Sequence, residues 1–161
     1  MKNNIINIVS NGFDSKDKWG LVIGDVMLDH YIMGDVKRLS PEAPVPIVNI
    51  NDNVYKIGGA GNVALNLAGL GINTFIVGEI GNDYSGEVLK DLFKENGIST
   101  KNLIKKKGAT TTKTRIMGGQ QQMIRLDYEE LSTGPNQAEL KKILKLISNG
   151  PSAIIISDYE K

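Results

Sequence analysis

Three short apolar runs, Leu21-Val22-Ile23, Thr74-Phe75-Ile76-Val77 and Ala153-Ile154-Ile155-Ile156, constrain this chain more than any other feature. Each is too short for a helix and almost free of polar residues, the pattern of a strand buried on both faces of a parallel sheet. The segments between them carry a helical period. Val63, Leu65, Leu67, Ala68 and Leu70 follow a glycine cluster and stop at Gly71. Val88, Leu89, Leu92 and Phe93 share one face of Tyr84 to Asn96, closed by Gly97. Leu140, Ile143, Leu144 and Ile147 recur at helical spacing after Gly134-Pro135-Asn136. Glycine just past a helix accepts the left-handed conformation that ends it. Buried strands alternating with such helices predict an α/β fold on a mostly parallel central sheet.

A second pattern interrupts the first. His30 to Asp35 and Val45 to Tyr55 alternate loosely around the proline-rich run Ser40-Pro41-Glu42-Ala43-Pro44-Val45-Pro46. They predict a small half-exposed sheet over about residues 30–57. Lys101 to Ile104, Thr111 to Met117 and Met123 to Tyr128 read as three further strands, the last two separated by Gly118-Gly119. Asn11 to Lys18 is polar and aperiodic, so residues 1–18 read as an N-terminal extension and residues 19–161 as the ordered domain.

Composition narrows the chemistry. A chain of 161 residues, 40% hydrophobic, can bury one core. With 19 Lys+Arg against 18 Asp+Glu and a net charge of +1, it lacks the basic bias of nucleic-acid binders, so no nucleic-acid partner is expected. Having no cysteine, it can form neither disulfides nor thiolate zinc sites, and the single histidine, His30, excludes any site built on two imidazoles. No apolar run reaches the roughly 18 residues that span a bilayer, so a cytoplasmic chain without a membrane partner is expected.

Ligands of open parallel sheets collect beyond the carboxyl ends of the strands, where Asp25, Glu79 and Asp158 lie. The cluster Gly58-Gly59-Ala60-Gly61-Asn62 admits two readings. Gly59-x-Gly61-x-x-Ala64 with Glu79 downstream fits a dinucleotide fingerprint, and hence an NAD(P)-dependent oxidoreductase, although the preceding residues, Asn53 to Ile57, are polar and alternating. Alternatively the glycines let backbone approach a polyhydroxylated ligand, with Asn62 hydrogen bonding from a helix start or capping that helix. Asp25 and Asp29 would then accept from adjacent hydroxyls, since a buried hydroxyl without a partner costs roughly 1–3 kcal/mol.

The run Gly58 to Ala64, continuing to Gly71 and Gly81, resembles the first signature of the ribokinase-like (PfkB) carbohydrate kinases. Four further segments are similar to the branch acting on heptose 7-phosphate: Gly24 to Asp29, Ser40 to Pro46, Gln120 to Asp127, and Ser157 to Lys161. The resemblance implies a three-layer α/β sandwich, of which this chain is the N-terminal part, with a small β-sheet lid. It implies ATP and Mg²⁺ in the complete kinase, and anomeric phosphorylation of D-glycero-D-manno-heptose 7-phosphate on the way to ADP-heptose and lipopolysaccharide. By family pattern Asp25, Asp29, Gly58, Gly59 and Asn62 line the sugar site. Lys113, Arg115, Arg125 and Lys161 are candidates for the sugar phosphate, a dianion that needs charge-assisted donors. Asp127 and Asp158, from the matching segments, complete the candidate set.

One departure stands out. The Gly-Ala-Gly-Asp motif that carries the family's general base does not occur in the chain, so the base is expected beyond Lys161 and these residues alone are expected to be inactive. Ile154 to Ile156 would then expose apolar surface or bury it in another copy. A non-catalytic sugar-phosphate-binding module stays open as an alternative. Unpaired edges of the lid strands predict a homodimer through the lid.

Overall fold

The computed structural model describes residues 18–130 and 134–160, so the expected extension up to residue 17 and the candidate Lys161 lie outside the described residues. The apolar runs form one parallel sheet. Strand β1 (Trp19–Gly24) lies between β4 (Asn73–Ile80) and β8 (Ala153–Ser157), and the short β5 (Leu103–Lys105) extends β4, in the order β5-β4-β1-β8. Leu21 stands beside both Phe75 and Ile154 in this register.

The helices begin and end where the punctuation predicts. Helix α1 (Ala60–Gly69) and α2 (Tyr84–Glu95) both finish in a Schellman turn. Gly71 N–H donates to Ala68 O at 2.9 Å and Ile72 N–H to Leu67 O at 3.1 Å. At the second, Gly97 donates to Lys94 O at 3.0 Å and Ile98 to Phe93 O at 2.9 Å. Asp83 caps the start of α2, and helix α3 (Gln137–Ser148) opens with a capping box between Asn136 and Glu139.

The remaining strands make a second sheet, broader than the unit expected over residues 30–57. Strands β2 (Val26–Leu39) and β3 (Pro46–Gly59) pair antiparallel, β6 (Thr112–Gly118) joins β2 in parallel, and β7 (Gln121–Tyr128) closes the order β3-β2-β6-β7. The two sheets share one core. Val22, Ile76 and Ile80 of the first meet Leu28 and Ile57 from the base of the second, and Leu89, Phe93 and Ile98 seal the joint. The far half of the second sheet projects from it, with every residue of β7 exposed.

A strand buried on both faces describes β1 but not β8. Strand β8 occupies a sheet edge, where Ile154 is 43% and Ile156 75% exposed, and no residue of α3 is buried. The apolar run reported its affinity for a sheet, whereas burial depends on neighbours that the described residues do not supply on that side.

Two consequences can be measured. A Cβ at Gly61 would lie 2.5 Å from Ile57 Cγ2 and 2.8 Å from Phe93 Cζ, whereas at Gly69 it would meet nothing within 4 Å. Gly61→Ala should therefore cost about 1–3 kcal/mol in urea unfolding, while Gly69→Ala should be neutral or stabilising by roughly 0.5–1 kcal/mol. The second concerns acid. Burial pushes the Asp83 carboxyl up, but hydrogen bonds from the Thr110 hydroxyl and amide and the Gly86 amide together hold it below its ordinary 3.8. A carboxyl depressed by folding contributes stability above its unfolded value and loses it as pH falls through the folded value. Melting temperature should thus fall below about pH 4 more steeply in the parent than in Asp83→Asn.

Candidate functional site

The two sheets are joined by a single residue, Asp25, between Gly24 of β1 and Val26 of β2. Its backbone is held on both sides: its N–H donates to Ser157 O at 3.1 Å, and its carbonyl accepts from Ala60 N–H at 2.8 Å. Its carboxylate Oδ2 accepts from Tyr159 N–H at 2.7 Å. The corner between β3 and α1 closes against it. Gly59 adopts φ +56°, and a Cβ there would collide with the Asp25 carbonyl and lie 2.8 Å from Met27 Cε. A Cβ on Gly58 would lie 2.6 Å from Asp29 Oδ2. The close approach that these glycines permit is therefore to the chain's own aspartate-bearing segment. That contact sets Asp25, Asp29 and the first turn of α1 around one corner.

Asn62 sits exposed in that first turn, and the N-cap position, Gly59, supplies no side-chain bond. Capping is thus not the role of Asn62. Beside the corner, at the carboxyl ends of β1 and β4, opens a cleft of about 240 Å³ lined in part by Asp25, Glu79, Lys106 and Thr111.

Cross-strand register gathers the other candidates on one face of the second sheet. Asp29 stands opposite Lys56 and Lys113, Tyr31 opposite Arg115, Lys113 opposite Asp127, and Arg115 opposite Arg125. The Arg115 guanidinium donates to Asp29 Oδ1 at 2.5 Å, and this bond raises Arg115 further above its ordinary range. Lys113 lies 3.8 Å from Asp127 and 3.6 Å from Glu129, and Arg125 Nε donates to Asp127 at 2.8 Å. Four cations, Lys56 included, thus face three carboxylates, and the like-charged neighbours Arg115 and Arg125 are each paired with a carboxylate of their own.

Sequence reasoning missed Lys56 and Tyr31. The Lys56 ammonium and the Arg115 guanidinium each lie 5.2 Å from the Tyr31 ring centre, and Lys56 makes no ion pair among the described residues. Alternation along β2 and β3 held the signal, since it puts Asp29, Tyr31 and Lys56 on one face once the hairpin register is known. His30 belongs to the opposite face, stacked on Tyr55 and bonded to Asn53 Oδ1 and Thr114 Oγ1. Asp158 accepts from Glu160 N–H in its own turn, adjoining Asp25 through the next residue, Tyr159. The run Ser40 to Pro46 turns the chain at the far tip of the sheet, closed by Ser40 N–H to Val45 O at 2.8 Å.

The geometry does not make a dinucleotide fold of Gly59 to Ala64. That fingerprint needs a parallel strand running into the glycines and a crossover back to the same sheet. Here the preceding strand is β3, antiparallel to β2, and the strand after α1 belongs to the other sheet. Among the described residues no group of three or more His, Asp or Glu side chains could hold a metal ion, and the sequence has no Gly-x-x-x-x-Gly-Lys-Ser/Thr loop. The described residues offer carboxylate acceptors at Asp25 and Asp29 and cations at Lys56, Lys113, Arg115 and Arg125. Among them no helix is long and apolar enough to cross a membrane.

Known proteins are similar to this chain in sequence and in fold. The bifunctional protein HldE of Methylobacillus flagellatus is 45% identical over 165 residues, covering 100% of this chain and 34% of that protein. HldE of Haemophilus influenzae is 40% identical over 141 residues, covering 88% and 30%. The chain spans about a third of the length of the curated relatives it matches. Among solved structures, Arabidopsis thaliana ribokinase complexed with ribose and ATP superposes with a TM-score of 0.61 at 16% identity, covering 86% of this chain and 45% of that one. Halothermothrix orenii fructokinase gives 0.58 at 21%, with the same coverage. These two likenesses show the fold, a ribokinase-like α/β sandwich represented by its N-terminal part. The model of the pfkB family carbohydrate kinases matches residues 21–157, and with a relative aligned along the whole chain this protein belongs to that family.

Proposed function

We propose that this chain is the sugar-phosphate-binding part of a kinase that phosphorylates D-glycero-D-manno-heptose 7-phosphate at its anomeric hydroxyl with ATP, supplying ADP-heptose for lipopolysaccharide. The observation that carries the reading is the continuity of two surfaces. The aspartates of the β1–β2 corner lead directly onto a cation-bearing sheet face through Asp29, which belongs to both. Asp25, Asp29 and Asn62 suit a row of hydroxyls, each able to accept from one. Lys56, Lys113, Arg115 and Arg125 suit a phosphate dianion, which would compete with the carboxylates that now hold three of them. Lys56, exposed and without an ion pair among the described residues, is the cation that a phosphate engages at least cost. The choice of heptose rests on the similarity of Ser40 to Pro46 and the other matched segments to that branch of the family. Phosphoryl transfer is not assigned to these residues, because the sequence holds no Gly-Ala-Gly-Asp motif.

Calorimetric titration checks this. The chain should bind heptose 7-phosphate more tightly than fructose 6-phosphate or ribose, bind no NADH, and release no ADP from ATP plus heptose 7-phosphate. Asp25→Ala and Asn62→Ala should each weaken binding by about 1–3 kcal/mol, the cost of leaving a ligand hydroxyl without its hydrogen-bonding partner. Unchanged affinity in both variants rejects the site.

We also infer a homodimer through the second sheet. Ile50 of β3, Val36 of β2, and Ile124, Leu126 and Tyr128 of β7 share the His30 face by register, each between 39% and 61% exposed. A contiguous apolar stripe of this kind is characteristic of an interface. Light scattering should report a dimer, and Leu126→Glu should convert it to monomer; a monomeric parent rejects the inference.

A further inference from the structure

Strand β6 carries Lys113 and Arg115, yet none of its residues is buried, so packing alone does not hold it in place. Beyond its pairing with β2 and β7, its anchorage to the core comes from the start of helix α2. Asp83 accepts there from Gly86 N–H at 2.9 Å as a helix cap, and the same carboxylate accepts from Thr110 N–H at 2.9 Å and from the Thr110 hydroxyl at 2.6 Å. The hydroxyl oxygen in turn accepts from Gly81 N–H at 2.9 Å. Thr110 is wholly buried, and neighbours without side chains give it room. A Cβ on Gly81 would lie 2.6 Å from Thr110 N, and one on Gly86 2.9 Å from Thr110 Oγ1. The next residue, Thr111, accepts from Leu28 N–H at 2.9 Å, where the pairing of β6 with β2 begins.

The same helix start reaches β6 by a second route. The Tyr84 ring lies 6.5 Å from that of Tyr55, edge to face, and Tyr55 stacks on His30 at 4.4 Å. His30 Nδ1 is 3.2 Å from Thr114 Oγ1. Adjacent residues of one helix start thus reach this strand twice, Asp83 at Thr110 just before β6 and Tyr84, through Tyr55 and His30, at Thr114 within it. Lys113 and Arg115 flank the second point and face the other side of the sheet.

We propose that Asp83 and Thr110 are positioning residues for the sugar-phosphate site, bracing β6 against the shared core so that Lys113 and Arg115 are presented beside Asp29. The brace rests on the structure alone, and its consequence for the ligand rests on the function proposed above. A half-buried carboxylate taking three hydrogen bonds, two of them from the wholly buried Thr110, has a directional demand that apolar packing lacks, and thus fixes the angle at which the chain leaves the core for β6.

The test pairs Thr110→Val, which keeps the shape and removes the hydroxyl, with Thr110→Ser, which restores it, and with Asp83→Asn. Amide hydrogen exchange in the full chain is read for Thr112–Gly118 and, separately, for β4; heptose 7-phosphate is titrated into each protein. Thr110→Val and Asp83→Asn should speed exchange in β6 at least tenfold with β4 protection kept, and weaken heptose 7-phosphate binding about tenfold. Thr110→Ser should return both to the parent values. Exchange that rises equally in β4, or does not rise in β6, overturns the brace, as does a failure of Thr110→Ser to rescue. Should Thr110→Val not fold, Asp83→Asn decides alone. An unaltered chain that binds no heptose 7-phosphate defeats the functional reading, while the exchange comparison still decides the brace.

Discussion

Everything about the site depends on the close backbone contact between Asp25 and the Gly59-Ala60 corner. One residue separates the parallel sheet from the second sheet, so the chain must change direction within a few ångströms while leaving no buried amide unpaired. The Ala60 N–H to Asp25 O bond and the Asp25 N–H to Ser157 O bond meet that demand. They require glycine at positions 24 and 59, where a side chain would strike backbone. Moving this corner by an ångström would separate Asp25 from the first turn of α1 and shift Asp29 along β2. The glycines are therefore structural in the first instance: their close approach holds two aspartates still.

The charges on the second sheet have a related logic. Pairs such as Arg115–Asp29 and Lys113–Glu129 are partly exposed, and ion pairs of that kind add little to stability. Their effect is orientation. Each cation is kept extended over the sheet instead of free in solvent, and the Tyr31 ring between Lys56 and Arg115 narrows their freedom further. A surface arranged in this way retains less side-chain freedom than one of unpaired cations. The acidic partners of Lys113, Arg115 and Arg125 also offset the repulsion among the clustered cations.

The sheet faces divide the labour. Successive residues of β2 point to opposite sides, so Asp29 and Tyr31 look toward the cations while His30 joins Tyr55, Asn53 and Thr114 behind them. The same alternation carries Ile124, Leu126 and Tyr128 to the far side of β7 from Arg125 and Asp127. One sheet thereby presents a polar surface and an apolar one, a division that follows from the two-residue period of a strand and needs no additional element.

What the sequence by itself determined is local. The runs at Leu21 to Ile23 and Thr74 to Val77 read as strands, Gly71 and Gly97 as helix ends, and Asn136 as a helix start, because periodicity and caps act over three to seven residues. The corner aspartates were legible for a similar reason, since a polar residue just past an apolar strand has few other places to go. Tertiary structure decided what spans long separations. Arg115 meets Asp29 across 86 positions and Thr110 meets Asp83 across 27, pairings that no local pattern encodes. The addition of β6 and β7 to the second sheet followed from the free edge that β2 offered, and the exposure of β8 from its place at the rim. A strand's composition records its affinity for a sheet, whereas its neighbour and its burial are settled only when every edge competes for partners at once.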